Sequence, residues 1–178
     1  MAEIPVVSIV GLSESGKTTL MDNLIRELVR RGIRVATIKH NPHGHEPDRE
    51  GKDTWRHRQA GAVCAVLSSP RSLALFRTVE READLDEIRG MVGDVDIILT
   101  EGYKRQSFPK IVVCRKEAGS PPLFTESDTL LAMVTDAVLD TDVPCFTFGE
   151  VGKLADLIKE YIHGRAFRMG GKGYDRMQ

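Results

Sequence analysis

The chain has 178 residues, 41% hydrophobic and 29% charged, which suits one domain with a sizeable core and excludes a disordered or fibrous chain. Its formal net charge of -1 excludes a general electrostatic pull toward nucleic acid or anionic lipid. No apolar run approaches the ~20 residues of a membrane span, and "MAEIPVVSIVG" carries no basic stretch ahead of its apolar residues, so a cytoplasmic protein that binds neither membrane nor nucleic acid is expected.

In chain order, "VVSIVG" is a short run rich in valine and isoleucine, as suits a strand buried on both faces of a parallel sheet. The period then changes. Leu20, Met21, Leu24, Ile25, Leu28 and Val29 recur at helical spacing, and Gly32 is placed to end the helix. "RVATIKH" reads as a second strand, which completes a βαβ unit. "NPHGHEPDREGK" is a polar loop rich in proline and glycine, and "DTWRHRQAGA" is a helix with Asp53 as its expected cap. "VCAVLSS" is a strand and "SLALFRTV" another, of antiparallel edge type. "ADLDEIRGMV" is a short helix, followed by strands at "VDIILTEG", "KIVVCRK", "TLLAMVTD" and "PCFTF". "VGKLADLIKEYIHG" closes the fold as a helix, with Val151, Leu154, Leu157, Ile158 and Ile162 on one face. Strands alternating with helices predict a doubly wound α/β sheet over residues 1–164, and the glycine-rich polar residues 165–178 read as a flexible tail. Cys64, Cys114 and Cys145 lie far apart in apolar runs, so buried reduced thiols in strands are expected.

"GLSESGKT" matches the phosphate-loop pattern G-x-x-x-x-G-K-[ST] through Gly11, Gly16, Lys17 and Thr18, and it stands where it must, after a strand and before a helix. The glycines let successive N–H groups point at a bound phosphate, and the helix beginning near Lys17 turns its positive end to the same anion. Lys17 would reach the β- and γ-phosphates, and the Thr18 hydroxyl would ligate Mg²⁺.

Such a site needs a carboxylate near the metal, and ligands in these sheets bind beyond the carboxyl ends of the strands. In "VDIILTEGYK", Glu101 ends the strand whereas Asp96 opens it, so Glu101 is the candidate to hold Mg²⁺ or polarise a water. The Gly102 N–H could approach the γ-phosphate. The bland alternative is that Glu101 caps a strand end. Lys39 and His40 end the second strand near the phosphates, with His43 and His45 following. Three histidines could hold a transition metal, but no cysteine supports such a site, and a solvated basic loop facing a polyanion fits the same residues. Asp53 could serve the metal instead of capping. Arg56 and Arg58, beside Trp55 and His57, could meet a phosphate-rich ligand or an acidic partner. The guanine-reading N-K-x-D pattern is absent, since the only asparagines are Asn23 and Asn41. Asp136, in "MVTDAVL", could accept the base's N1–H and exocyclic amine, or cap a turn; the residues alone leave GTP and ATP both open.

"GLSESGKTTL", "IKHNPHGHEPDREGKDTWRHRQAGA", "DIILTEGYKRQSFPKIVV" and "VTDAVL" together resemble the MobB family of molybdopterin-guanine dinucleotide biosynthesis, over roughly residues 5–163. The resemblance implies a three-layer P-loop NTPase fold with a mostly parallel sheet and an added β-segment, here "SLALFRTV", as a candidate homodimer surface. It implies GTP and Mg²⁺ as cofactors. It also implies an accessory role, with weak GTPase activity, beside the guanylyltransferase that attaches GMP to molybdopterin. By motif, Gly11, Ser13, Glu14, Ser15, Gly16, Lys17, Thr18 and Thr19 would hold the phosphates, with Thr18 and Glu101 serving the metal and Lys17 and Glu101 the chemistry. Lys39, His40, Asp53, Arg56 and Arg58 would line the cleft, for nucleotide, pterin or partner, and Asp136 would face the base. Two other functions fit the same residues: an ATP-dependent small-molecule kinase, in which Arg56 and Arg58 clamp the acceptor, and a metallochaperone GTPase using His40, His43 and His45.

Overall fold

The computed structural model describes residues 3–44, 46–104, 106–116 and 130–164. The expected tail at 165–178 and His45 lie outside them. The chain divides into two compact units, one made of the residues up to His40 and from Val92 onward, the other of Asn41–Met91.

The first unit is built on a six-stranded sheet of β1 (Val6–Gly11), β2 (Val35–Lys39), β5 (Ile97–Glu101), β6 (Lys110–Cys114), β7 (Leu130–Thr135) and β8 (Cys145–Phe146). The order is β2-β5-β1-β6-β7-β8, and every neighbouring pair is parallel. The predicted α/β class holds, and all carboxyl ends point to one edge. β1 lies in the middle with β5 and β6 as its partners, and all six of its residues are buried, as its unbroken apolar run requires.

Helix α1 (Lys17–Arg30) follows β1 directly. Its Leu20, Met21, Leu24 and Leu28 are buried and pack with Val7, Ile9, Leu99, Val113, Val134 and the Leu154, Leu157 and Ile158 of α4 (Val151–Ile162). Val29, expected on the same face, is exposed. It sits one residue past Leu28, where the 100° step of the helix turns it outward. Gly32 ends α1 as predicted. At φ 79, its N–H donates to Val29 O at 2.9 Å and the Ile33 N–H to Leu28 O at 3.1 Å, closing a Schellman motif. Arg31 then ties α1 to α4 by donating to Gly152 O at 2.8 Å and to Asp156 Oδ1 at 2.5 Å. On the other face of the sheet Val10, Val112, Cys114 and Met133 form a smaller cluster, and Ser8 and Thr100 satisfy each other at 2.9 Å.

The second unit holds α2 (Asp53–Gln59), the antiparallel hairpin of β3 (Cys64–Ser69) and β4 (Ser72–Arg77), and most of α3 (Leu85–Val92). The hairpin is a two-stranded sheet of its own, in keeping with the edge-type strand read from "SLALFRTV". Two expectations are corrected here. Lys52, not Asp53, occupies the N-cap of α2 and makes no side-chain cap bond; Asp53 is the first helical residue, where its charge favours the positive helix end. Of the three cysteines only Cys114 is buried, whereas Cys64 and Cys145 are exposed, because β3 belongs to a two-stranded sheet and β8 is an edge strand. Among the described residues no helix is long and apolar enough to cross a membrane.

Candidate functional site

The site grows from the turn between β1 and α1. Gly11 pairs in register with Val113 of β6. A Cβ there would stand 2.3 Å from Val113 O and 2.7 Å from Ser15 Oγ, so only glycine lets the two strands close at this point. The loop then turns through two residues of positive φ, Glu14 at 61° and Gly16 at 93°. Gly16 is the N-cap of α1 and offers no side chain to the helix end. The first intrahelical bond is Leu20 N–H to Gly16 O at 2.9 Å, which leaves the preceding N–H groups of α1 without helical acceptors. Ser15 is buried, and its Oγ has no hydrogen-bond partner among the described residues. These are the features of an anion cradle: orphan donors, a helix dipole and a backbone free of Cβ obstruction.

Lys17 supplies the cation, and its Nζ donates to the Leu12 carbonyl within the loop. Burial pushes its pKa below the ordinary lysine range; Glu101 pulls it up, and Lys104 and Lys39 push it further down. Lys39 and Glu101 end the neighbouring strands β2 and β5, at the carboxyl-end edge. Glu101 ends β5 opposite Lys39 of β2 in register, and the two charges are 3.8 Å apart. Asp96, at the opposite end of β5, binds the Arg34 guanidinium at 2.9 Å and is remote from the loop, as its strand position required. Gly102 is committed elsewhere: its N–H donates to Ile9 O at 3.3 Å, so the expectation that it faces a phosphate is not met. A φ of 110° at Gly102 and 53° at Tyr103 folds the chain back, so that the Tyr103 ring stacks on His40 at 4.5 Å. His40 is therefore packed against Tyr103, and among the described residues no group of three potential metal ligands occurs.

On the other side of β1 Asp136 stands in a cluster with Arg115 and Phe148, two residues that the sequence pattern did not single out. Arg115 follows β6, and its guanidinium lies 4.2 Å from the centre of the Phe148 ring. Its Nη1 is 3.7 Å from Asp136 Oδ2, while Asp136 Oδ1 accepts the Lys116 N–H at 2.6 Å. Asp136 is thus held at the ends of β6 and β7. A Cβ on Gly16 would meet Phe148 at 3.3 Å and Arg115 at 3.4 Å, so the cluster borders the loop itself. The rule that favoured Glu101 over Asp96 points equally to Arg115, the first residue beyond β6.

Within the second unit, Arg58 donates to Glu46 Oε1 at 2.5 Å and its Nε is 3.5 Å from Asp48 Oδ2. Thr54 Oγ1 donates to the other Asp48 oxygen at 3.0 Å. Arg58 is therefore engaged in fixing the 46–48 segment to α2. Asp53 and Arg56 lie in the same unit.

A family described as molybdopterin guanine dinucleotide synthesis protein B matches residues 6–136. The chain belongs to the MobB family. Two curated relatives, from Haemophilus influenzae and Escherichia coli, are both named molybdopterin-guanine dinucleotide biosynthesis adapter protein. The first is 35% identical over 163 residues, covering 90% of this chain and 91% of the relative. The second is 35% identical over 164 residues, covering 89% and 94%. A solved structure titled molybdopterin-guanine biosynthesis protein B superposes with a TM-score of 0.70 at 32% identity, over 89% of this chain and 99% of that one. The fold and the family read from the sequence both stand.

Proposed function

We propose that this MobB-family chain is a nucleotide-binding adapter in the formation of molybdopterin guanine dinucleotide, holding GTP with Mg²⁺ and assisting a partner guanylyltransferase. The observation that carries the nucleotide is the cradle. Its helix end presents N–H groups without helical acceptors, Ser15 Oγ is buried without a partner among the described residues, and Lys17 is partly desolvated beside Glu101. A triphosphate would relieve all three, since it offers acceptors to the donors and restores the charge that burial disfavours on Lys17. Gly11, Ser13, Glu14, Ser15, Gly16, Lys17, Thr18 and Thr19 are the residues to hold it.

Thr18 and Glu101 are the residues that would hold the metal. Mg²⁺ ordinarily takes one or two protein ligands and completes its shell with phosphates and water, so it needs no protein cage. When bound, it would draw charge from the phosphate oxygens. Lys39 Nζ lies 3.8 Å from Glu101 Oε1, an ion pair that offsets part of the carboxylate's charge. A Glu101 so engaged is a poor match for rapid activation of water, and hydrolysis well below the ~10 s⁻¹ of a typical enzyme is expected. An adapter can work by binding rather than by turnover.

The role in dinucleotide formation rests on the named relatives, and the partner is the enzyme that joins GMP to the pterin. The homodimer rests on the hairpin. Val66 and Leu75 form a cross-strand pair with both side chains mostly exposed, and Leu73 shares their face. A two-stranded sheet is marginal by itself, and a second copy would cover this face. The test is reconstitution: partner transferase, molybdopterin and MgGTP, with and without this chain, following dinucleotide product. The reading expects the chain to raise product yield, and Lys17→Ala to remove that gain; an equal yield with and without the chain would contradict it.

A further inference from the structure

The phosphate cradle is only one end of a nucleotide site. A nucleoside triphosphate is bipolar, with its metal-binding phosphates at one end and its base at the other. The sheet is polarised in the same way. On one side of β1 stand Glu101 of β5 and Lys39 of β2. On the other side, beyond the ends of β6, β7 and β8, stand Arg115, Asp136 and Phe148. With the terminal phosphate turned toward Glu101, the nucleoside must leave the loop on the Arg115 side. The cluster is near enough to receive it, because a side chain begun at Gly16 would already be in contact with both Phe148 and Arg115.

We propose that Arg115, seated on Phe148 and paired with Asp136, reads the base and selects guanine over adenine. This inference rests on the nucleotide reading above. The chemistry is specific. Guanine presents two acceptors, O6 and N7, on one edge, and the planar fork of arginine matches them. Its N1–H and N2 amine are donors that need a carboxylate, and Asp136 is held in place for that role by the Lys116 N–H. Adenine reverses the pattern: a donor amine replaces O6, facing a residue that can only donate. Phe148 packs against the guanidinium, 4.2 Å from its ring centre, and so restrains the fork beside the loop. This gives the chain a guanine-reading pair without the N-K-x-D pattern that it lacks.

The test is equilibrium binding of MgGTP, MgATP and magnesium tripolyphosphate to the wild type, Arg115→Ala and Arg115→Lys, with circular dichroism to confirm folding. Both substitutions should weaken GTP about tenfold, as expected for loss of one good base contact, while ATP and tripolyphosphate change less than twofold. The lysine variant matters because it keeps the charge and loses the fork. An equal loss for all three ligands would make Arg115 a phosphate residue, and unchanged GTP binding would make it structural; either result overturns the proposal. A wild type that binds none of the three overturns the nucleotide reading itself, and is thereby distinguished from failure of the base-reading pair alone.

Discussion

Gly11→Ala is the sharpest structural prediction. A methyl at this position would stand 2.3 Å from the Val113 carbonyl oxygen and 2.7 Å from Ser15 Oγ. Carbon–oxygen contacts normally keep about 3.3–3.6 Å. The serine hydroxyl can rotate away, but Val113 O is main chain in the buried strand β6, paired in register with Gly11 itself. Relief therefore means parting β1 from β6 by roughly 1 Å at the loop end, which places the cost near the top of the ~1–3 kcal/mol range of overpacking. In a chain of this size each kcal/mol lowers Tm by roughly 2–4 °C, so a fall of roughly 6–12 °C is expected. Gly32→Ala is the control. Its Cβ would meet nothing within 4 Å, but its φ of 79° costs about 1 kcal/mol in any residue with a side chain, or roughly 2–4 °C. The assay is thermal unfolding of nucleotide-free protein by circular dichroism. If Gly11→Ala melted at or above the temperature of Gly32→Ala, the close approach of the two strands would be refuted.

Three further outcomes follow from charge and exposure. Burial holds the free Lys17 pKa below the ordinary lysine range, and a bound triphosphate would raise it. MgGTP affinity should therefore fall as pH rises through that lowered value, an alkaline limb that calorimetry would find below the ~10.4 of a free lysine. The Arg30 and Arg31 guanidiniums bind Glu27 and hold its pKa at about 2. Because that value is depressed, the stabilisation is complete above the unfolded value of ~4.3 and is lost as pH falls toward 2, so Glu27→Gln should flatten the decline of Tm across that window. Finally, Leu73→Lys with Leu75→Lys on the exposed hairpin face should turn a dimer into a folded monomer, read by light scattering; a wild type that is already monomeric would remove the homodimer from the proposal.

The parallel sheet was legible because its central strands β1, β5 and β6 are nearly continuous apolar runs and α1 and α4 carry apolar residues at helical spacing, and the order of runs prescribes βαβ connections. Glu101 and Asp96 could be told apart because direction along a parallel strand maps onto the two edges of the sheet. Residues whose burial depends on what lies beside them were less legible. Cys64 and Cys145 sit in runs as apolar as that of Cys114, but β3 belongs to a two-stranded sheet and β8 is an edge strand, which no local pattern reveals. Asp53 resembles a cap by type, yet the helix began one residue earlier than that role requires. The Gly102 N–H was placed near the right edge, but a bond to Ile9 O had already taken it. Arg115 and Phe148 come together only through the order of β6, β7 and β8, and their separation of more than thirty residues hides the stack from any motif.

Equilibrium binding of MgGTP to the wild type and to Lys17→Ala, with and without the metal, tests the central claim most directly. Magnesium-dependent binding that Lys17→Ala abolishes, with the variant still folded, is the predicted result. Binding that survives Lys17→Ala, or a wild type that binds no triphosphate, would contradict it and leave the loop between β1 and α1 without its assigned purpose.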